Sequence, residues 1–271
     1  MKAAVIVFGN CVTYFVRDAL LQLLPHHEYD IIHMLDHPDP MRRTAVKIDD
    51  ETLKRCVFLV DQRTRWRRFP YLERLPPSCQ RISLPVLAFQ TFWPLEAEDA
   101  RNTPAPPEFP YGKYPYGDRL VLRLRGKGVK TEDIWKEYRQ TDLNTIVDLD
   151  RLHELVMNRV SAMDSECDIQ VGPFIEKHFL DVRLFWASDH PTRFLAAPLV
   201  DRAISALGVP CPPGKTAQLV SDIFDNFHQP IHPQVIEHFG LTVVDPTTRY
   251  HYHDDTWLTF EEYMQRYILW E

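Results

Sequence analysis

The chain has 271 residues, of which 45% are hydrophobic and 25% charged, so it is long enough to bury a sizeable core. Its formal net charge of -7 argues against general nucleic-acid binding. No apolar run reaches the roughly 18 residues that a membrane span needs, and the chain leads directly into an apolar segment rather than a signal peptide, so we expect a cytoplasmic protein.

The stretch from residue 3 to residue 24 predicts a strand, a tight turn and a helix. Five of the six residues between positions 3 and 8 are aliphatic, which is typical of a central strand buried on both faces of a parallel sheet. Gly9 permits a sharp bend, and apolar residues then recur at helical spacing until Pro25. Cys11 therefore lies where a strand meets a helix.

This position gives Cys11 two interpretations. Ligands of open α/β sheets bind outside the carboxyl ends of strands, and a helix N-terminus lowers the pKa of a thiol, which favours a nucleophilic cysteine. The alternative is a small buried filler, because free cysteines are among the most buried residues. The five cysteines are widely spaced and odd in number, which favours reduced thiols over disulfides or a zinc site.

Residues 29–35, 56–60 and 81–85 predict three further strands. The third strand of the chain ends in Asp61-Gln62, and four arginines follow within six residues, at positions 63, 65, 67 and 68. Because guanidinium groups pair bidentately with phosphate oxygens, this cluster is a candidate phosphate-binding site. A solvated helix face that happens to carry arginines is the alternative.

A proline-rich segment from residue 94 to residue 115 marks a long loop, and it ends among aromatic residues. Lys113, Tyr114 and Tyr116 make this end a candidate for a ligand-facing loop that stacks on a flat ring. The alternative is a loop pinned to the surface by its aromatic side chains.

The pattern from about residue 118 to residue 180 predicts a helical insertion, followed by a strand at 182–186 and a helix from about 193 to 207. His190 lies in the intervening loop, where it can act as a general base facing the end of the first strand or be an ordinary loop histidine. Residues 208–271 predict a helical extension of a single α/β domain. Its histidines lack the HExxH spacing, so we expect a solvated tail and no metal site.

Four features in order resemble the WcbI-type polysaccharide biosynthesis family over roughly residues 2 to 207. They are Gly9-Asn10-Cys11, Asp61-Gln62, the aromatic loop at 114–118 and His190-Pro191-Thr192. The resemblance implies an α/β fold with a small central parallel sheet, flanking helices and a large helical insertion, helix-rich overall. It also implies a protein of capsular or surface polysaccharide synthesis that binds coenzyme A and acetylates a sugar hydroxyl.

The arrangement is more distantly similar to SGNH hydrolases and acetyltransferases, with Cys11 in place of their serine and His190 in place of their histidine. That superfamily has an Asp three residues before its His, whereas this chain has Ala187 there and Asp189 immediately before. The expected machinery is therefore a Cys-His dyad, since a thiol is more acidic than a hydroxyl.

The resemblance leads to the following expected roles. Cys11 attacks the acetyl-CoA thioester, or His190 instead deprotonates the sugar hydroxyl for direct transfer. The backbone amide of Cys11, with Asn10 or Gln62, holds the oxyanion. The residues expected to hold coenzyme A are Gly9, Arg63, Arg65, Arg68, Lys113, Tyr114 and Tyr116.

Two other functions remain open at this point. One is a binding module that holds coenzyme A or a nucleotide-sugar without catalysis within a glycan-assembly complex. The other is a thiol esterase that uses the same dyad, although an esterase does not require the arginine cluster.

Overall fold

A computed structural model describes residues 1–37, 46–63, 68–253 and 255–271 of the chain. Its centre is a four-stranded parallel sheet in the order β2-β1-β3-β4. The strands are β1 (Ala3–Gly9), β2 (Tyr29–Leu35), β3 (Cys56–Arg63) and β4 (Gln80–Pro85). All four predicted strands are present, and the predicted α/β class is confirmed.

Strand β1 is central because its side chains are apolar on both faces. Val5 and Val7 pack into the larger hydrophobic cluster, whereas Ala4, Ile6 and Phe8 pack into a smaller cluster on the opposite face. These five residues are at most 3% exposed. The carboxyl ends of β1 and β2 consequently lie side by side at one edge of the sheet.

Helices surround the sheet and make up much of the chain between residues 119 and 178. Helix N-caps lie where the sequence indicates them, for example at Asp118, whose side chain accepts a hydrogen bond from the Val121 amide (2.9 Å). Among the described residues up to position 206, the α-helices are α1 (Tyr14–Leu23), α2 (Asp50–Lys54), α3 (Arg119–Gly126), α4 (Thr131–Gln140), α5 (Leu149–Ser165), α6 (Gly172–His178) and α7 (Arg193–Ala206). Short 3-10 helices cover Cys11–Thr13, Leu72–Arg74, Gln90–Phe92 and Leu143–Thr145.

The strand predicted at 182–186 is shorter and lies outside the main sheet. The observed strand β7 (Phe185–Ala187) pairs antiparallel with β8 (His190–Pro191). A second short antiparallel pair, earlier in the chain, joins β5 (Glu96–Ala97) to β6 (Gly117–Asp118). The chain reverses after three residues of β7, so its backbone groups pair within this hairpin. His190 is therefore held in a hairpin strand rather than in a loop.

The C-terminal region is packed rather than solvated, which corrects the expectation of a solvated histidine tail. His228 is 3% exposed and His232 is 8% exposed, because both rings pack among aromatic side chains. The remaining elements are α8 (Thr216–Leu219), α9 (Pro233–Phe239), β9 (Tyr250–His251), β10 (Trp257–Leu258) and α10 (Phe260–Leu269). Within the described ranges, no helix combines the length and apolar character that crossing a bilayer requires.

Candidate active site

A cleft of about 870 Å³ opens at the carboxyl ends of β1 and β2. Asn10 and Cys11 follow β1 in its wall, and Asp36 and His37 follow β2. This is the edge at which open α/β sheets bind ligands. The other lining residues come from the first helix, the aromatic loop, the β7–β8 hairpin and the C-terminal region: Tyr14, Arg17, Asp18, Glu108, Pro110, Tyr111, Gly112, Pro115, Tyr116, Asp189, His190, Ile223, Phe224, Asn226, Phe227 and His253.

Buried Gln62 holds the turn that carries Cys11. Its amide oxygen accepts a hydrogen bond from the Asn10 backbone N–H (2.8 Å), and its amide nitrogen donates to the carbonyl of Pro85 (3.2 Å). A Cβ atom on Gly9 would lie 2.5 Å from the Gln62 Cβ and 2.6 Å from the Thr13 Cγ2. Glycine is therefore required at position 9 for packing, and Gly9 is buried beneath the cleft rather than in its wall.

The side-chain amides of Asn10 and Gln62, both candidates for holding an oxyanion, lie in different surroundings. Both polar atoms of the Gln62 side chain are engaged within the protein, and the side chain is 0% exposed. Gln62 therefore positions the turn and is not placed as an oxyanion donor. The Asn10 side chain lines the cleft, and its oxygen caps the first 3-10 helix by accepting from the Val12 amide (2.9 Å).

Cys11 lines the cleft as expected, but its thiol is not activated by its position. Burial, together with the charges of Asp189 and Asp36, raises the pKa of Cys11 to about 12, although hydrogen bonding from the Cys11 and Val12 amides acts in the opposite direction. The expectation of a readily ionised thiol is wrong, because burial and two carboxylates outweigh the helix N-terminus. Cys11 is neutral near pH 7.

Tyr116, Asp189 and His190 form a hydrogen-bonded group in the cleft wall. The Tyr116 hydroxyl donates to the Asp189 Oδ1 (2.5 Å) and lies 3.3 Å from the His190 Nδ1. Since this hydroxyl gives its proton to the carboxylate, it can only accept from Nδ1, which leaves the lone pair of neutral His190 on Nε2. The Asp189 Oδ1 lies 3.9 Å from that Nε2, where it favours the protonated ring.

His190 is fixed by packing as well as by hydrogen bonding. Its ring stacks on Phe224 with centroids 4.4 Å apart and planes 7° apart. Burial lowers the pKa of His190, and Asp189 opposes that shift. Glu96 lies behind this group, and burial raises its pKa while Ser188 and Gln229 hydrogen-bond it. The ring of His190 is consequently neutral at pH 7 and oriented.

Of the predicted phosphate-binding arginines, the two that the structure describes, Arg63 and Arg68, are not brought to the cleft. The Arg63 guanidinium donates to the carbonyl of Glu166 (2.9 Å), and Arg68 is exposed. Neither belongs to the cleft lining, and Arg65 lies outside the described residues. Lys113 is exposed beside the cleft, and its carbonyl accepts a hydrogen bond from the His253 Nε2 (3.1 Å).

The two tyrosines predicted to face a ligand have different positions. Tyr116 lines the cleft, as described above. Tyr114 is 2% exposed and packs among Tyr252, Tyr263 and Trp270, with centroids 5.4, 5.6 and 5.0 Å away. Its ring has no free face for an adenine, so the alternative of an aromatic anchor describes Tyr114.

Several residues of the cleft were not singled out from the sequence. Asp36 follows β2 in the same way that Cys11 follows β1, so the strand-end rule pointed to it. Arg17 lines the cleft one helical turn after Tyr14, with its guanidinium carbon 4.2 Å from the Tyr14 ring centroid. Phe224 comes from an irregular segment, for which the sequence carries no comparable signal.

The fold and the cleft together define a class of protein. It is an α/β protein with a cysteine at the carboxyl end of its first parallel strand and a Tyr-Asp-His group facing the same cleft. The family model of the polysaccharide biosynthesis enzyme WcbI matches residues 4–212, and the chain belongs to that family. The family resemblance drawn from the sequence is thereby confirmed.

A solved structure of WcbI, described as a novel polysaccharide biosynthesis enzyme, is similar to this chain. The TM-score is 0.73 with 16% sequence identity, and the match covers 99% of this chain and 89% of that one. That structure is of native protein without a disulfide bond between coenzyme A and one of its cysteines. A search of curated proteins found no match.

Proposed function

We propose that the protein is a coenzyme A-dependent acyltransferase, most simply an acetyltransferase, that acts on a sugar hydroxyl in surface polysaccharide biosynthesis. The observation that carries this proposal is the cleft that Cys11 shares with the Tyr116-Asp189-His190 group. Membership of a polysaccharide biosynthesis family supports the sugar acceptor. The coenzyme A named for the structural relative supports the acyl donor.

His190 is the general base of this proposal. A base must be unprotonated at the working pH, and burial lowers the pKa of His190. The Nε2 lone pair takes the proton of the sugar hydroxyl as its oxygen attacks the thioester carbonyl. Asp189, 3.9 Å from Nε2, then stabilises the imidazolium, and Tyr116 holds both partners in place.

The raised pKa of Cys11 favours direct transfer over a covalent acyl-cysteine. In direct transfer the new C–O bond forms, the C–S bond breaks, and the coenzyme A thiolate receives the proton that His190 carries. In this proposal the backbone amide of Cys11, at the start of the first 3-10 helix, donates to the developing oxyanion. The Cys11 thiol then contacts the sulfur of coenzyme A rather than attacking its acyl group.

Titration calorimetry of the purified protein with coenzyme A and acetyl-CoA, beside inorganic phosphate and ATP, tests the donor. We expect micromolar binding that is selective for coenzyme A. The absence of selectivity over ATP would contradict the proposal, because the cleft would then recognise a nucleotide rather than the thiol-bearing arm.

Four variants test the catalytic routes. For direct transfer, Cys11→Ala and Cys11→Ser retain transfer, whereas His190→Ala loses it by about 100-fold or more, the scale of general base catalysis. Loss of transfer in both Cys11 variants with binding intact would instead establish the covalent route. Tyr116→Phe keeps the ring and removes the hydroxyl, so we expect an intermediate loss in kcat.

The requirement for an acceptor distinguishes transfer from hydrolysis. With acetyl-CoA alone, a transferase releases free coenzyme A slowly, and a sugar acceptor accelerates the release. Release at an unchanged rate without any sugar would indicate a thioesterase, and binding without release under either condition would indicate a binding module.

A further inference from the structure

Three side chains of residue types that can bind metals lie close together behind the wall of the cleft. Asp225 and His228 lie in the segment that follows α8, and His251 lies in β9. One ligand atom from each lies within 4.8 Å of the other two. All three residues are beyond residue 212, where the match to the family model ends, and none belongs to the described lining of the cleft.

Two tryptophans orient the histidine rings. The His228 ring stacks on Trp186 with centroids 3.8 Å apart and planes 3° apart. The His251 ring stacks on Trp257 with centroids 4.7 Å apart and planes 6° apart. Such packing fixes the direction in which each ring nitrogen points, and pre-oriented ligands lower the cost of binding an ion.

Hydrogen bonds within the cluster indicate which nitrogen of each ring carries a proton. The His251 Nδ1 donates to the backbone carbonyl of Asp225, and a carbonyl can only accept, so the lone pair of the neutral ring is on Nε2. Histidines that bind metals typically donate their other N–H in this way. The His228 Nε2 lies 2.6 Å from the Asp225 Oδ1, and a carboxylate can only accept, so this Nε2 carries the proton while no ion is bound.

We propose that Asp225, His228 and His251 bind a divalent transition-metal ion of the zinc class. Two imidazoles and one carboxylate are ligands that Zn²⁺ accepts, and three protein ligands leave a fourth position for water. Binding through the His228 Nε2 requires the ring tautomer that carries its proton on Nδ1, so that Nε2 offers its lone pair and the ring stays neutral. The His228 Nε2 and the Asp225 Oδ1, 2.6 Å apart in the metal-free protein, then lie roughly 3.3 Å apart, the edge of a tetrahedron with bonds of about 2 Å.

The surroundings permit this small movement and limit the affinity. The Asp225 side chain is 50% exposed, so it can move without disturbing the core. The positive charge of Arg183 acts on His228 and opposes a dication, while the Asp225 carboxylate offsets one positive charge. Phe224 and Phe227 line the cleft beside the cluster, so a bound ion braces the cleft wall rather than taking part in the chemistry.

Titration of chelator-treated full-length protein with Zn²⁺, and separately with Co²⁺, tests the site. We expect one ion per chain and, for Co²⁺, the visible absorption of a tetrahedral centre. Asp225→Asn and His251→Gln should each weaken binding at least tenfold, because each removes a ligand. His238→Gln is the matched control, since the His238 Nε2 pairs with Asp150 (2.9 Å) without belonging to such a cluster.

The outcomes are distinct and do not depend on the proposed acyltransferase activity. Circular dichroism of the metal-free variants establishes that they fold before their affinities are compared. Stoichiometric binding that His238→Gln retains and the two cluster variants lose supports the site. Absence of stoichiometric binding, or equal affinity in all variants, overturns it.

Discussion

At the carboxyl edge of the sheet, the ends of β1 and β2 lie in a different environment from the ends of β3 and β4. The ends of β1 and β2 open into the cleft, with Cys11 and Asp36 in its wall. The ends of β3 and β4 are covered by residues 166–169, which follow α5. There the Ile169 amide donates to the Ser83 carbonyl (3.2 Å), and the Ser83 hydroxyl donates to the Asp168 carboxylate (2.6 Å).

This difference shows that a polar residue after a parallel strand is a candidate site until something covers it. Cys11 and Arg63 are equivalent by that rule, since each stands at a strand's carboxyl end. The helical insertion reaches one end and not the other, so the Arg63 guanidinium binds the carbonyl of Glu166. The open end therefore holds the proposed site, and we expect the covered end to contribute stability.

The largest effect is expected from filling the space beneath the open end. In Gly9→Ala the new methyl group meets Gln62 and Thr13 at about 2.5 Å, and position 9 has φ +154°. We expect a loss of about 3 kcal/mol or more in the free energy of unfolding, measured by urea denaturation, from overpacking and strain together. The control is Gly126→Ala, where no atom lies within 4 Å. Equal stability of the two variants would contradict this description of the turn.

Removing the hydrogen bonds between Asp168 and Ser83 at the covered end should reduce the free energy of unfolding by less than Gly9→Ala does, and should leave the cleft unaffected. Asp168→Ala deprives the buried Ser83 amide and hydroxyl of their acceptor. We expect a loss of about 2 kcal/mol in urea denaturation, the cost of a buried donor without a partner. Asp168→Asn keeps an acceptor and should lose less. A tenfold change in coenzyme A affinity in either variant would show that the two ends are coupled.

Arginine substitutions compare the two ends as phosphate sites. Arg17 lines the cleft, whereas Arg63 and Arg68 do not. We expect Arg17→Gln to weaken coenzyme A binding about tenfold at low salt, since a charge-assisted contact contributes about 1.5 kcal/mol. Arg63→Gln and Arg68→Gln should bind with unchanged affinity by calorimetry. A larger loss of coenzyme A affinity in the Arg63 or Arg68 variant than in the Arg17 variant would indicate that the phosphates bind at the covered end.

The last comparison concerns two thiols, one at each end, whose substitution-dependent changes in reactivity are expected to be only several-fold. Burial raises the pKa of Cys11 to about 12 and the pKa of Cys167 to about 11. Because the thiolate is the reactive form, alkylation by iodoacetamide should accelerate about tenfold per pH unit from pH 7 to 10 at both positions, without a plateau. Peptide mass spectrometry resolves the two rates, and a plateau below pH 10 at Cys11 would contradict the raised pKa.

Two charge variants should move these rates in opposite directions. The Asp189 carboxylate raises the pKa of Cys11, so Asp189→Asn lowers that pKa and accelerates Cys11 alkylation several-fold at pH 8. The Arg63 guanidinium lowers the pKa of Cys167, so Arg63→Gln slows alkylation there. Each variant serves as the control for the other, since each charge acts on one thiol.

The sequence predicts local structure well where a single signal decides it. The apolar run of β1, the cap at Asp118 and the helix of residues 193–206 agree with the sequence pattern to within a few residues. The hairpin of β7 and β8 does not, because pairing between short segments depends on which partner the chain brings near.

The candidate site was only partly predictable for the same reason. Asn10, Cys11, Tyr116 and His190 were singled out and share one cleft. The role of Tyr116 as a partner of Asp189 depends on a contact across 73 residues, which no local pattern encodes. The acidity of Cys11 depends on burial, which a strand-end position alone does not specify.

The hydrogen bond between Gln62 and the turn after β1 makes the motion of that turn measurable by hydrogen exchange. The Asn10 amide donates to a side chain that is 0% exposed, so its proton exchanges with solvent deuterium only when the turn opens. The exchange rate at Asn10 therefore reports how often the backbone beside Cys11 leaves its closed geometry. A ligand that requires the closed turn will slow that exchange, even where it touches neither Asn10 nor Gln62.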